Sequence, residues 1–149
     1  MDTQEALRVH LRTAVRVTVS VIASLLLYLV AVEVIRARFS PFLGFLSVSD
    51  LQLLRYALWA LAITAVIVIL LLRPRLLRKA AGGDDKTALH QIQKAFVLTI
   101  VLSEVPATLG LVLFLTAGLN IDFYGLLFVS LVLVFMYFPR RSAWEEWLS

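Results

Sequence analysis

"AFVLTIVLSEVPATLGLVLFLTAGLNIDFYGLLFVSLVLVFMYF", Ala95 to Phe138, decides the fold. The run holds two carboxylates, Glu104 and Asp122, and no lysine or arginine. Its only polar cluster is "AGLNID", Ala117 to Asp122, a tight-turn composition. The turn divides the run into two apolar segments, 95–117 and 123–138. A helix needs ~20 apolar residues to cross ~30 Å of hydrocarbon. The first segment meets that length. The second is short, but rings mark both its ends, Phe123 and Tyr124, then Tyr137 and Phe138. Such rings prefer the headgroup level of a bilayer. The stretch predicts two antiparallel membrane helices joined as a hairpin.

The rest of the chain reads the same way. Of its 149 residues 61% are hydrophobic, and the mean hydropathy is +0.92. A water-soluble domain needs more polar surface than that. Two further apolar blocks, 15–35 and 56–72, precede the hairpin. The first follows Arg8, Arg12 and Arg16 but exceeds a signal h-region, and Asp2 and Glu5 do not suit an n-region. Pro74 is expected to stop the second block just past its last leucines. "AAGGDDK", Ala80 to Lys86, reads as a hinge, after which Asp84 or Asp85 can cap a helix running through His90 and Lys94 into the third span. That helix is expected to project about three turns beyond the bilayer. The tail "SAWEEWL", Ser142 to Leu148, reads as a short interfacial segment. The expected fold is therefore all-α: one polytopic membrane domain of four transmembrane helices, with a polar loop at 73–94.

Orientation follows from lysine and arginine. Eleven of the fourteen lie on the side of the termini and the 73–94 loop. Three, Arg36, Arg38 and Arg55, lie on the other. Basic residues accumulate on the cytoplasmic side, so both termini are expected there, in a cell (inner) membrane. A net charge of +4 could also fit nucleic acid, but the basic residues flank the apolar blocks as membrane topology would place them. No nucleic-acid partner is expected. The expected partners are the lipid bilayer and other membrane subunits or copies of the chain.

The chain has no cysteine, which excludes disulfides and thiol chemistry. It has no H-E-x-x-H, G-x-S-x-G or Walker sequence, and His90 has no acid or histidine at ligand spacing. No enzyme activity, cofactor or metal is expected. Glu33 and Arg36 stand at helical ion-pair spacing near an interface and read as a local pair. Lys86, His90 and Lys94 share one face of the projecting helix. A basic stripe there meets anionic lipid headgroups or a soluble partner at the cytoplasmic face.

Glu104 is the unusual residue. It lies near the middle of the third span, where an acidic side chain costs ~2.5–3.5 kcal/mol, so it is expected to be protonated and to face another helix. Two readings follow. A neutral acid can satisfy the kink at Pro106, whose missing N–H leaves the Leu102 carbonyl open. Alternatively, Glu104 can bind an ion, with Ser103 and Thr108 beside it. Ser103, Ala107 and Gly110 form a small-residue face suited to close helix packing.

"LSEVPATLGLVLF", Leu102 to Phe114, resembles the ion-binding helix of the proteolipid c or K subunits of rotary ATPases. The shared features are a mid-membrane carboxylate (Glu104), a small residue (Ala107), then Gly110-Leu111-Val112. "DFYGLLFVSLVLVF", Asp122 to Phe135, looks like the Tyr-Gly opening of the next helix in the archaeal-type subunits. The resemblance implies that Glu104 binds and releases H⁺ or Na⁺. The first two spans hold no glycine, unlike the inner helices of a closed ring. The primary expectation is therefore a non-enzymatic structural or accessory subunit of a larger membrane complex. The alternative is a proteolipid-like ion-translocating protein using Glu104.

Overall fold

The computed structural model describes residues 3–45, 51–80 and 85–139, with side chains placed over 8–45, 51–76 and 90–139. It contains four helices: α1 (Thr3–Arg38), α2 (Leu51–Ala80), α3 (Asp85–Ala117) and α4 (Asn120–Met136). Arg8–Arg38, Leu51–Leu76 and His90–Ala117 are long and apolar enough to cross a membrane. The fourth helix is apolar but has 17 residues, about 25 Å of axis. Each helix begins before its apolar block, because helical hydrogen bonding continues into the polar flanks while hydropathy does not.

One boundary differs from expectation. Pro74 does not end the second helix, which runs through it to Ala80. A proline deletes one backbone bond and crowds the carbonyl four residues back, which bends a helix. The residues after it still find their own carbonyl partners, so the helix resumes. The hinge at 81–84, the side chain of Lys86 and the 140–149 tail lie outside the described residues.

The third helix is the hub. It packs against each of the other three, whereas α1 and α2 barely meet. The core along it contains Leu25 and Val32 of α1, Ile69 of α2, Ile100 and Phe114 of α3, and Phe123 and Val134 of α4. Large apolar side chains cover the outside, among them Leu26, Leu27, Leu53, Ile63 and Leu71.

The 39–45 segment after α1 folds over the C-terminal end of α3. Phe42 packs on Phe114 with ring centroids 4.9 Å apart, and the Phe45 N–H donates to the Leu115 carbonyl at 2.8 Å. Gly44 and Gly118 make the crossing possible. Both have positive φ, +92° and +68°. A Cβ on Gly44 would stand 2.3 Å from the Thr116 carbonyl oxygen, and one on Gly118 would stand 2.5 Å from that of Phe42. Gly118 also ends α3, its N–H donating to the Phe114 carbonyl at 2.8 Å, so the chain reverses directly into α4.

Candidate functional site

Midway along α3, the Tyr28 hydroxyl of α1 donates to Glu104 Oε1 at 2.8 Å. Glu104 is half-buried and faces α1. Both residues belong to long apolar helices, so each gives the other a polar partner among aliphatic neighbours. Thr108 follows one turn later on the same face, where its hydroxyl donates to the Glu104 backbone carbonyl at 3.2 Å. Ser103 points elsewhere. It is fully buried, and its hydroxyl donates to the Thr99 carbonyl at 2.7 Å. Adjacent helical residues diverge by 100°, so Glu104 and Ser103 serve different faces. The group that joins Glu104 is Tyr28, which the reading of Glu104, Ser103 and Thr108 leaves out. A sequence signal existed: a tyrosine among the leucines of α1 needs a polar partner for its hydroxyl.

The opposite face of α3 meets α4. Ala107 and Ser103 are fully buried, and Gly110 lies so close to α4 that an added Cβ would stand 3.1 Å from Leu126 Cβ and 3.2 Å from Phe123 Cα. Pro106, next to Ala107 in the chain, is also fully buried. At Ala107 the backbone N–H donates to Ser130 Oγ of α4, at 2.9 Å. A backbone donor of α3 next to Pro106 thus bonds a side chain of α4.

A second polar cluster lies at the end of the bundle formed by the two connections. Asp122, in the first turn of α4, is 4% exposed. Its Oδ1 accepts from Arg55 Nε at 2.9 Å and from Trp59 Nε1 at 2.7 Å, both on α2. The helix N-terminus adds a favourable dipole for the carboxylate. Beside it, Arg36 reaches Glu33 Oε1 at 3.2 Å, the local pair that the i, i+3 spacing predicts. Arg36 also donates to the Tyr124 hydroxyl at 2.8 Å, and that hydroxyl donates to Glu33. Sequence reading places Asp122 in a turn and Arg55 at an interface without joining them. The available signal was their level: opposite charges at the same end of neighbouring helices.

At the other end, Arg73 of α2 lies over the Tyr137 ring of α4, 4.4 Å from its centroid. His10 Nδ1 of α1 contacts Gln93 Oε1 of α3. His90 and Lys94 are exposed on one face of α3, and a groove of roughly 380 Å³ runs from them along Val97, Leu98 and Val101. Among the described residues, no group of three or more histidine, cysteine or carboxylate side chains could hold a metal ion. Searches found no matching family model, no matching curated protein and no matching solved structure.

Proposed function

We propose that this chain is a small, non-enzymatic integral membrane protein that crosses the bilayer four times and serves as a structural or accessory subunit of a larger membrane complex. The carrying observation is where the polar groups go. Tyr28 with Glu104, Arg55 and Trp59 with Asp122, and Ser130 with Ala107 tie helix to helix, the threonine hydroxyls close on their own helices, and large apolar side chains cover the outer faces. In the most apolar stretch of α2 only 11% is buried, and in that of α1 22%. A bundle so lightly covered presents wide faces to lipid and to neighbouring subunits.

The ties between α2 and α4 support the fourth crossing. The Arg55–Asp122 pair joins them at one end and Arg73–Tyr137 at the other. Arg55 and Arg73 are 18 helical residues apart, ~27 Å of axis, so α4 runs through nearly the whole apolar depth of α2. The cytoplasmic assignment of the termini rests on the eleven-to-three distribution of basic residues. Of the three on the minority side, Arg36 and Arg55 are paired with Glu33 and Asp122. Purification of the native protein in mild detergent tests the proposal. Unrelated membrane subunits should elute with it; a large ring of identical copies would sink it.

The contact between Tyr28 and Glu104 favours one second reading, an H⁺- or Na⁺-translocating protein with Glu104 as the carrier, which is what the proteolipid resemblance implies. Glu104→Gln keeps an acceptor for Tyr28 and carries no charge. With Glu104 as an interhelical tie, Glu104→Gln should assemble and keep near wild-type stability, while Tyr28→Phe should lose about 1 kcal/mol. With Glu104 as an ion carrier, Glu104→Gln should assemble but abolish transport, and carbodiimide should label only the wild type.

A further inference from the structure

The hub arrangement leaves part of α3 uncovered. Since α1 and α2 both pack on α3 yet barely meet, a cleft opens between them with α3 as its floor. The exposed residues of α3 mark it as one stripe: His90, Lys94, Leu98, Val101, Thr108 and Val112. Their spacings of three, four and seven keep them on a single helical face. Gln93, touching His10, and Glu104, touching Tyr28, mark the edge where α1 packs. The groove at His90 and Lys94 lies on this stripe, lined by α3 itself through Gln93, Val97, Leu98 and Val101.

Its chemistry changes along its length. An ammonium and an imidazole stand at one end, followed by three aliphatic side chains. Arg36 and Arg55 are paired with carboxylates, but among the described residues no carboxylate pairs with Lys94. Lys94 is also the last charged residue before the apolar run that begins at Ala95. In a bilayer that position is the headgroup level. We propose that the α1–α2 cleft binds one anionic phospholipid, with its phosphate on Lys94 and His90 and an acyl chain laid along Val97, Leu98 and Val101. The charge at the mouth selects an anionic headgroup, and the aliphatic floor selects a chain. A lone phosphate would use only the first. This assignment rests on the reading of the protein as membrane-spanning.

The full chain, reconstituted in vesicles of equal phosphatidylglycerol and phosphatidylcholine, provides the test. Flotation with the vesicles reports insertion. Mass spectrometry after re-extraction in mild detergent reports the lipid retained. Wild type should retain about one phosphatidylglycerol per chain and prefer it to phosphatidylcholine about five-fold, the effect of one lysine near the headgroups. Lys94→Ala should remove most of that preference, and Lys94→Arg should keep it. Val101→Trp, which fills the groove, should lose the retained lipid while floating and remaining helical like wild type. Equal retention of the two lipids would overturn the proposal, as would Val101→Trp with its lipid intact. Displacement by inorganic phosphate alone would reduce the site to an anion contact and also overturn it. A protein cross-linked into the groove of the native complex, in place of lipid, would assign the cleft to a partner helix. Failure of wild type to float would refute the membrane reading itself.

Discussion

A buried carboxylate is costly unless its hydrogen bonds and charge are both answered. Asp122 meets both conditions: Arg55 supplies charge, Trp59 a neutral donor, and the start of α4 a dipole. Removing Asp122 should therefore be felt across α2 and α4 together. Asp122→Ala should cost about 2 kcal/mol, below the ~3–5 kcal/mol of a fully buried pair because the Arg55 side chain is 42% exposed. Arg55→Ala should cost at least as much as Asp122→Ala, since it strands the buried carboxylate without a countercharge, whereas Asp122→Ala leaves a half-exposed guanidinium that water can reach. A double-mutant cycle followed by unfolding in detergent micelles should give a coupling of about 1 kcal/mol, and zero coupling would show that the pair contributes nothing. The Glu33–Arg36 pair could be read from its spacing because both residues lie on one helix. Tyr124, which completes that cluster, could not, because it comes from α4.

Packing of α3 on α4 depends on how near the two backbones come. Gly110 and Gly125 give opposite expectations for the same substitution. Alanine in a helix gains roughly 1 kcal/mol over glycine. At Gly125 the new Cβ would stand 3.6 Å from the Trp59 ring, an ordinary contact. At Gly110 it would press on Leu126 Cβ and the Phe123 backbone at 3.1 and 3.2 Å, atoms that cannot rotate away. Gly125→Ala should leave stability unchanged or raised, and Gly110→Ala should lower it by about 1 kcal/mol net, since overpacking costs ~1–3 kcal/mol. Equal effects of the two would contradict the close approach. Ser130 gives the second expectation at this scale. Its hydroxyl accepts the Ala107 N–H, so Ser130→Ala removes that interhelical bond and should cost about 1 kcal/mol. Hydrogen exchange at the Ala107 amide should quicken, and unchanged protection there would show that the backbone closes on itself instead. Pro74 and Pro106 belong to this scale as well. Both lie within helices, and neither ends one.

For the whole molecule the governing feature is that one helix touches all the others. With α3 as hub, α1 and α2 are held apart and the bundle presents a cleft as well as an apolar circumference. Both chain reversals described between helices, the 39–45 segment and the α3–α4 turn, meet at one end, where Phe42, Gly44 and Gly118 interlock. That end carries few basic residues, and the proposed orientation places it outside the cell. Because the chain has no cysteine, single substitutions report topology cleanly. Gly83→Cys and a cysteine added at either terminus should resist a membrane-impermeant thiol reagent in intact cells, and Asn120→Cys should react. A reactive Gly83→Cys would reverse the orientation and, with it, the assignment of Lys94 to the cytoplasmic leaflet.

The sequence alone determined the helical class, the apolar blocks, the place of the α3–α4 reversal and the local Glu33–Arg36 pair. Each of these depends on residues within a few turns of one another: hydropathy over a window, a glycine in a turn, two charges one turn apart. The tertiary structure decided which helix is central, that Tyr28 answers Glu104, that Arg55 and Trp59 answer Asp122, and that Ser130 takes the Ala107 N–H. Those contacts depend on the rotation and level of each helix relative to its neighbours. A uniformly apolar helix leaves its rotation undefined in the sequence, because every face is equally at home in hydrocarbon. Here the few polar side chains and the small residues Ala107 and Gly110 break that degeneracy, and they do so only in pairs that the chain brings together from different helices.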